Sequence, residues 1–215
     1  MLQNKKALIF DVDGSLVDSM WIWRQIDIEY LAKFDIPLPE KLQSEIEGMS
    51  FNETAVYFKD HFNIKDSVDK IKEDWNSLAW DKYTNDVKLK KGAIELLKYC
   101  KENGILLGIG SSNSKELVHH LVKTLDIRDY FGAIVTGCDI ENGKPSPDIY
   151  LKASEILDVN PNTCLVFEDI IPGIKAGLSA GMQVCAVEDE YSMDQMEAKK
   201  SLAHYYIREF NEVFK

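Results

Sequence analysis

Five short apolar runs recur along the chain, and none of them alternates with polar residues. A strand that is apolar on both faces is typical of a parallel sheet covered by helices, because such a strand is buried from both sides. We therefore predict five strands inside an α/β sheet. They are Ala7–Phe10, Ile105–Ile109, Ala133–Val135, Cys164–Phe167 and Val184–Val187.

Helical patterns lie between the later runs. The first of them is followed by Gly104, which is a typical helix-stop residue. In the second, Asn113 and Glu116 have the spacing of a capping box at the start of the helix. The alternation of strands and helices predicts a Rossmann-like, doubly wound α/β fold with a parallel sheet. The predicted helices are Lys91–Asn103, Ser114–Leu125, Ser146 to about Leu157, and Pro172–Ala180.

A long segment after the first strand breaks this alternation, because helical patterns follow one another there without a convincing strand. Asp18–Phe34 is apolar on more than one face, and Ser50 with Glu53 has capping-box spacing ahead of a second amphipathic segment. An all-helical insertion at this point would lie over the loop that follows the first strand. The predicted domains are an α/β core of residues 1–17 and 86–215 and a helical cap of residues 18–85.

Charge and cysteine content limit the classes of binding partner and the cellular compartment that we expect. The chain has 25 Lys and Arg against 36 Asp and Glu, and its net charge of -11 disfavours a nucleic-acid backbone as partner. Its 4 cysteines form no C-x-x-C pair and lie mostly in or beside apolar runs, so we interpret them as reduced core residues. No apolar run approaches the ~18 residues of a membrane span. We expect a cytoplasmic monomer without a nucleic-acid or membrane partner.

Polar side chains follow four of the predicted strands. In an open parallel sheet, ligands gather at the carboxyl ends of the strands, so these residues sample the expected site. A lone D-x-D-G sequence is often only a solvated turn, but here further carboxylates, hydroxyls and a lysine occur at neighbouring strand ends. They are Asp11, Asp13 and Gly14, the GSSNS loop from Gly110 to Ser114, Lys144, and Glu168 with Asp169.

This set of side chains suits phosphoryl transfer. Carboxylates from two strand ends fit a hard cation such as Mg²⁺, which binds a few carboxylates together with a substrate phosphate. Hydroxyls, backbone amides and a lysine can hold the remaining phosphate oxygens, and one aspartate can attack phosphorus while its neighbour acts as general acid and base. The expected partner is a small-molecule phosphate ester.

At these residues the sequence resembles the haloacid dehalogenase-like (HAD) superfamily, in its phosphatase and β-phosphoglucomutase-like branch with a helical cap. The first motif is DVDGSLVDS, starting at Asp11; Ser111 and Lys144 stand for the second and third, and EDIIPGIKAGLSAGM, starting at Glu168, for the fourth. The four motifs occur in the right order over nearly the whole chain. The resemblance implies a Mg²⁺-dependent phosphatase that hydrolyses small phosphomonoesters, sugar phosphates or nucleotides, through an aspartyl-phosphate.

The resemblance also implies the role of each motif residue. Asp11 is the nucleophile and a metal ligand, and Asp13 is the acid/base whose backbone carbonyl also contacts the metal. Asp169 completes the Mg²⁺ site, with Glu168 as a ligand or just behind the ligands. Ser111 and Lys144 hold the phosphoryl group. Further candidates for substrate contact are Gly14, Ser112 and Asn113 in the loops, and Trp23 and Arg24 in the cap, where packing is the commoner use of an aromatic residue.

Two departures from the family pattern decide between activities. Sugar-phosphate mutases of this branch carry a histidine early in the cap, where this chain has Trp23, and an arginine shortly after the cap glycine, where Gly48 is followed by Met49, Ser50 and Phe51. A phosphatase is therefore favoured over a β-phosphoglucomutase-like mutase. The dehalogenases of the superfamily lack an acid at the position of the second aspartate, so the presence of Asp13 argues against a dehalogenase. A non-catalytic, phospho-accepting signalling module is a remote alternative, disfavoured by the chain length and the helical insertion.

Overall fold

A six-stranded parallel sheet in the order β5-β4-β1-β6-β7-β8 forms the centre of the computed structural model, which describes residues 1–214. A separate two-stranded antiparallel ribbon pairs β2 with β3. The strands are β1 (Ala7–Phe10), β2 (Val17–Asp18), β3 (Lys88–Leu89), β4 (Leu106–Ser111), β5 (Ala133–Thr136), β6 (Cys164–Glu168), β7 (Gln183–Val187) and β8 (Tyr205–Ile207).

Nine α-helices are found in the described residues, and four of them lie between β2 and β3. The helices are α1 (Met20–Ala32), α2 (Leu42–Ile46), α3 (Phe51–His61), α4 (Val68–Asn85), α5 (Ala93–Glu102), α6 (Lys115–Thr124), α7 (Asp148–Ile156), α8 (Ile171–Ser179) and α9 (Met196–Leu202). Short 3₁₀ helices cover Arg128–Tyr130, Pro161–Thr163, Glu190–Gln195 and Phe210–Phe214.

The predicted α/β fold with a doubly wound parallel sheet is confirmed, and all five predicted strands are present. Alternate residues of β1 enter different clusters: Leu8 and Phe10 pack on one face of the sheet, and Ala7 and Ile9 on the other. This burial on both faces is why the strand shows no alternation in the sequence. The sixth strand, β8, was missed because it is a three-residue edge strand with two half-buried tyrosines.

The helical insertion begins and ends at the ribbon, in which Val17 pairs with Leu89 and Asp18 with Lys88. No strand pattern is visible in the sequence at these positions, because two residues are too few to show a period. The four helices α1 to α4 fill the segment between the two ribbon strands. The division into a core and a cap at residues 17/18 and 85/86 stays a prediction.

Helix starts test the two predicted capping boxes. The box at Ser50 is confirmed: Ser50 Oγ accepts from the Glu53 N–H, and Glu53 Oε2 accepts from the Ser50 N–H. The second is wrong, because Ser114 rather than Asn113 caps α6, with its Oγ accepting from the Leu117 N–H. The side-chain amide of Asn113 instead donates to Asp13, which follows β1.

The register of the central strands brings the polar loops together. Phe10, the last residue of β1, pairs with Ile109 of β4 and with Phe167 of β6. The next residue on each strand is therefore at the same edge of the sheet. The cysteines agree with the predicted reduced state: all 4 are free, and three of them are buried.

Candidate active site

Asp11 is held at the end of β1 by the sheet itself. Its backbone N–H donates to the Phe167 carbonyl (2.9 Å), which continues the hydrogen bonding between β1 and β6 by one residue. The chain then turns at Gly14, whose φ of +81° is in the left-handed region. A Cβ on Gly14 would collide with the Asp169 carboxylate and with Met20. Glycine is therefore needed at this position both for the turn and for the close approach of Asp169.

Lys144 joins the carboxylates of two neighbouring strand ends. Its Nζ lies 2.5 Å from Asp11 Oδ1 and also donates to Glu168 Oε1, and all three side chains are buried. Burial by itself lowers the pKa of Lys144, but Asp11 and Glu168 together raise it above its ordinary value. Burial raises the pKa of Asp11, although Lys144 acts in the opposite direction. The lysine is therefore charged and holds Asp11 at the strand end.

Glu168 is fully engaged by the protein. Its Oε1 accepts from Lys144 and from the Tyr150 hydroxyl (2.7 Å), and its Oε2 accepts from the N–H groups of Asp169 (2.9 Å) and Ile170 (3.3 Å). A buried carboxylate with both oxygens bonded is a rigid anchor. Glu168 fixes the position of Lys144 and of the loop that carries Asp169.

Three buried carboxylates form an acidic cluster at this point. One oxygen each from Asp11, Glu168 and Asp169 lie within 4.8 Å of one another. Burial raises the pKa of Asp169 well above its ordinary value, and Glu168 and Asp11 add to the rise. Within residues 1–214, Lys144 is the one ammonium that bonds to these carboxylates directly, so three buried carboxylates keep uncompensated negative charge, and an all-oxygen donor set suits a hard divalent cation. The residues present therefore fit a metal ion.

The carboxylate of Asp13 has a different environment. Its Oδ1 accepts from Ser19 Oγ (2.6 Å), from the Tyr83 hydroxyl and from the Trp23 indole (3.3 Å), and its Oδ2 accepts from Asn113 Nδ2 (2.9 Å). Trp23 and Tyr83 come from α1 and α4, so helices of the insertion contact this carboxylate directly. The Asp13 carboxylate is held by these donors and is not one of the three carboxylates of the acidic cluster.

The GSSNS loop supplies the other wall of the site. Ser111 is the last residue of β4, is buried, and accepts a bond from the Asn113 N–H (3.2 Å) at its Oγ. Ser112 accepts from the Phe51 N–H through its backbone carbonyl (2.8 Å), so the first residue of α3 is docked on this loop. Glu53 adds a second contact of α3 with the core, because its Oε2 accepts from the Gly143 N–H (3.1 Å).

Lys199 supports the acidic cluster from behind. This residue of α9 is completely buried, and its Nζ donates to the Asp169 carbonyl (2.9 Å) and to Ser192 Oγ (2.9 Å). The Ser192 hydroxyl in turn donates to the same Asp169 carbonyl (2.9 Å). The backbone at Asp169 is thereby fixed by two donors that lie far from it in the sequence.

A cavity of about 210 Å³ lies between the strand ends at this edge of the sheet and helices α1 to α4. Trp23 lines this cavity, and its contact with a substrate stays a prediction. Arg24 does not line it: it is exposed, because one residue along a helix turns a side chain by about 100°. Gly14 does not line the cavity either, since it packs against Asp169. The predicted residues that do line it are Asp11, Asp13, Trp23, Ser111, Ser112, Asn113, Lys144 and Asp169.

A comparison with protein families gives the class of this site. The model of the haloacid dehalogenase-like hydrolases matches residues 8–187, which is most of the chain. The chain belongs to this family. The resemblance carried by the four motifs and the predicted enzyme class, a hydrolase of the haloacid dehalogenase-like superfamily, are thereby confirmed.

Individual relatives of this haloacid dehalogenase-like hydrolase agree with that placement. A phosphorylated carbohydrates phosphatase of Thermotoga maritima is 30% identical over 178 residues, 83% of this chain and 82% of the relative. Among solved structures, CbbY of Rhodobacter sphaeroides in complex with phosphate has a TM-score of 0.87 at 24% identity and covers 97% of this chain and 96% of its own. A β-phosphoglucomutase of Clostridium difficile has a TM-score of 0.81 at 26% identity over 97% and 93%.

Several residues that contact the hydrolase site were missed by the sequence reasoning, among them Ser19, Tyr83, Tyr150 and Lys199. Ser19 and Tyr83 bond to Asp13, and Tyr150 and Lys199 bond to Glu168 and the Asp169 carbonyl. Each lies on or beside a helix, where a polar group with a tertiary partner looks like any other residue of the helix.

No helix within residues 1–214 combines the length and the hydropathy that a membrane crossing requires.

Proposed function

We propose that this hydrolase is a Mg²⁺-dependent phosphatase that cleaves small phosphomonoesters, such as sugar phosphates or nucleotides, through a phosphoryl group carried by Asp11. One observation carries the proposal. The buried carboxylate of Asp11 lies 2.5 Å from the Lys144 ammonium, at the edge of a cavity that Asp13 and the serine loop also line. The expected substrate is a small molecule, because the cavity is smaller than the ~300–1,000 Å³ of drug-sized ligand sites.

The first half of the proposed reaction transfers the phosphoryl group to the protein. A carboxylate oxygen of Asp11 attacks phosphorus, and the bond between phosphorus and the ester oxygen breaks. The leaving oxygen takes a proton from Asp13, which enters this half in its protonated form and acts as general acid. Lys144 and Ser111 would donate hydrogen bonds to the phosphoryl oxygens while charge builds up on them.

The second half returns the protein to its starting state. The Asp13 carboxylate accepts a proton from a water molecule, and the water oxygen attacks phosphorus. The bond between phosphorus and the Asp11 oxygen breaks, and inorganic phosphate leaves. The hydrogen bonds from Ser19, Tyr83, Trp23 and Asn113 support this role, because they hold the Asp13 side chain in one orientation.

The acidic cluster supports the Mg²⁺ part of the proposal. Asp11, Asp169 and the backbone carbonyl of Asp13 would hold the ion. When bound, Mg²⁺ supplies positive charge for the phosphoryl oxygens. Glu168, whose two oxygens are already bonded to protein donors, would keep Lys144 and Asp169 in place beside the ion.

A sugar-phosphate mutase is the second candidate, because a β-phosphoglucomutase is among the similar structures. A mutase needs a second phosphate site that receives the bisphosphate intermediate. The helical side of this cavity carries the acids Asp27 and Glu47 where such a site would need cations. A phospho-accepting signalling role leaves the cavity between the sheet edge and the helices without a purpose. Hydrolysis is therefore the better supported activity. Cytoplasmic location and a monomeric state stay predictions.

Phosphate release from a broad panel of phosphomonoesters, measured with Mg²⁺ and again with EDTA, tests the proposal. We expect release from a subset of the esters, its loss with EDTA, and its loss in the Asp11→Asn variant. The Asp60→Asn variant is the matched control, since Asp60 is exposed on α3 and away from the cavity. Intact, metal-loaded protein that releases phosphate from no ester would contradict the proposal. Conversion of a sugar 1-phosphate only after addition of a bisphosphate would favour the mutase.

A further inference from the structure

Two acidic side chains outside the acidic cluster also line the cavity. Asp27 is on α1, and Glu47 follows α2. Among the described residues that line the cavity, Lys144 is the only Lys, Arg or His, and its ammonium is already shared by Asp11 and Glu168. The part of a substrate that extends toward the helices therefore meets negative charge.

Amide groups, and not cations, are the partners of these two acids. Asp27 is only 5% exposed and accepts from Gln43 Nε2 (2.6 Å), with no ion pair to it within residues 1–214. Burial raises the pKa of Asp27 to about 7. Glu47 accepts from Gln195 Nε2 (2.5 Å), and burial raises its pKa, although the Lys199 ammonium acts in the opposite direction. A neutral partner leaves the charge of a carboxylate uncompensated, so a second anion nearby would be strongly disfavoured.

The remaining walls on this side are apolar and aromatic. Trp23 and Phe51 meet edge to face (6.1 Å between ring centres), and Phe51 meets Trp75 in the same way (5.5 Å). Met20 and Met49 complete the apolar lining. Aromatic faces beside a few hydrogen-bonding groups suit a compact molecule with C–H surfaces and hydroxyl groups.

From this arrangement we propose that the hydrolase selects phosphomonoesters with a neutral, hydroxyl-bearing leaving group, and that Asp27 accepts a hydrogen bond from one of its hydroxyls. The chemical class is polyol and sugar monophosphates. Bisphosphates and phosphorylated carboxylic acids are excluded, because their second anionic group would lie beside Asp27 and Glu47. This inference rests on the proposed phosphatase function and adds to it the discrimination between leaving groups.

Two matched substrate pairs test the selection. Sorbitol 6-phosphate and 6-phosphogluconate differ at one end by a hydroxymethyl group against a carboxylate, and glycerol 3-phosphate and 3-phosphoglycerate differ in the same way on a shorter chain. At a pH above 7, where the Asp27 carboxyl is charged, we expect kcat/KM to be at least about tenfold higher for the neutral member of whichever pair is turned over.

Asp27→Asn identifies the residue responsible. The variant keeps the shape and the hydrogen-bonding capacity of the side chain but removes its charge, so the ratio between neutral and anionic members should shrink at least about threefold. Asp60→Asn should leave the ratio unchanged. The wild-type ratios do not depend on whether a variant folds. Hydrolysis of p-nitrophenyl phosphate together with equal or inverted ratios in the pairs would overturn this inference alone, and an unchanged ratio in Asp27→Asn would remove Asp27 from it. No hydrolysis of any ester would overturn the proposed function itself.

Discussion

The Tyr83 hydroxyl on α4 donates a hydrogen bond to Asp13 Oδ1, 70 residues away along the chain. The same hydroxyl accepts from the Trp23 indole (2.9 Å) and from Asn113 Nδ2 (3.0 Å). Burial raises the pKa of Tyr83 well above its ordinary value, and the Asp13 charge adds to the rise, so Tyr83 stays a donor. Tyr83 thus joins α1, α4 and the GSSNS loop to Asp13, the proposed acid/base.

Replacing Tyr83 with Phe removes this donor, and we expect the proposed acid step to suffer most. An alkyl leaving group needs a proton, whereas p-nitrophenolate leaves without one, so kcat/KM, which reports the first transfer, should fall about tenfold or more for an alkyl phosphate and much less for p-nitrophenyl phosphate. Steady-state kinetics on both esters measure the split. Tyr57→Phe is the control, since Tyr57 bonds to Glu45 on the surface of the same insertion. Equal losses on the two esters would show that Tyr83 has only a structural role.

Binding of Mg²⁺ to the acidic cluster should raise the melting temperature of the protein. A ligand at 100 times its dissociation constant stabilises the folded state by about 2.7 kcal/mol. Asp169→Asn should abolish this increment, because Asp169 supplies one of the three clustered carboxylates. Asp194→Asn is the control, since Asp194 is exposed near the cavity but outside the cluster. Thermal unfolding with Mg²⁺ and with EDTA measures both. An undiminished increment in Asp169→Asn would place the metal elsewhere.

Two glycines with similar backbones separate strain from contact. Gly14 and Gly181 have φ values of +81° and +74°, but a Cβ on Gly181 would meet nothing within 4 Å. Gly181→Ala should therefore lose about 1–2 kcal/mol of unfolding free energy from backbone strain alone. Gly14→Ala should lose more and should also weaken Mg²⁺ binding, because its Cβ would displace the Asp169 carboxylate. Urea unfolding and Mg²⁺ titration measure the difference, and equal behaviour of the two variants would contradict it.

The buried carboxyl of Asp27 makes stability depend on pH. Burial raises its folded-state pKa from 3.8 to about 7, so its contribution to stability is complete below the unfolded value and is lost as the pH rises toward 7. Relative to Asp27→Asn, the wild type should lose at most about 4 kcal/mol between pH 4 and pH 8. Urea unfolding of both proteins across this range measures the loss. A difference that does not change with pH would contradict the buried, uncompensated environment of Asp27.

Much of the site follows from the sequence because parallel strands end together. Asp11, Ser111 and Glu168 are brought to one edge by the register of β1 with β4 and β6, and no side-chain packing is needed to predict this. Residues on helices are different. Trp23 and Arg24 are neighbours, yet only Trp23 reaches the cavity, since the orientation of α1 is set by its contacts with α4 and is invisible in its own sequence.

Asp27 and Lys199 illustrate the same limit. Both are charged residues in ordinary helical patterns, and their burial becomes visible only when the helices are packed. A buried charge is costly unless it is bonded, and here the bonds come from Gln43 and from the Asp169 carbonyl, which are distant along the chain or on another element. Pattern-based reasoning therefore finds the loops of this site. It misses the buried helical residues that are proposed to select the leaving group or that hold the Asp169 backbone in place.

The central claim, that Asp11 carries the phosphoryl group, is tested most directly by mass spectrometry of the Asp13→Asn variant. The variant is incubated with Mg²⁺ and p-nitrophenyl phosphate, quenched with acid and digested. We expect the mass of one phosphoryl group on the peptide that contains Asp11, because the first transfer proceeds without the acid/base while the second requires it. An unmodified Asp11 peptide together with wild-type phosphate release in this variant would contradict the account.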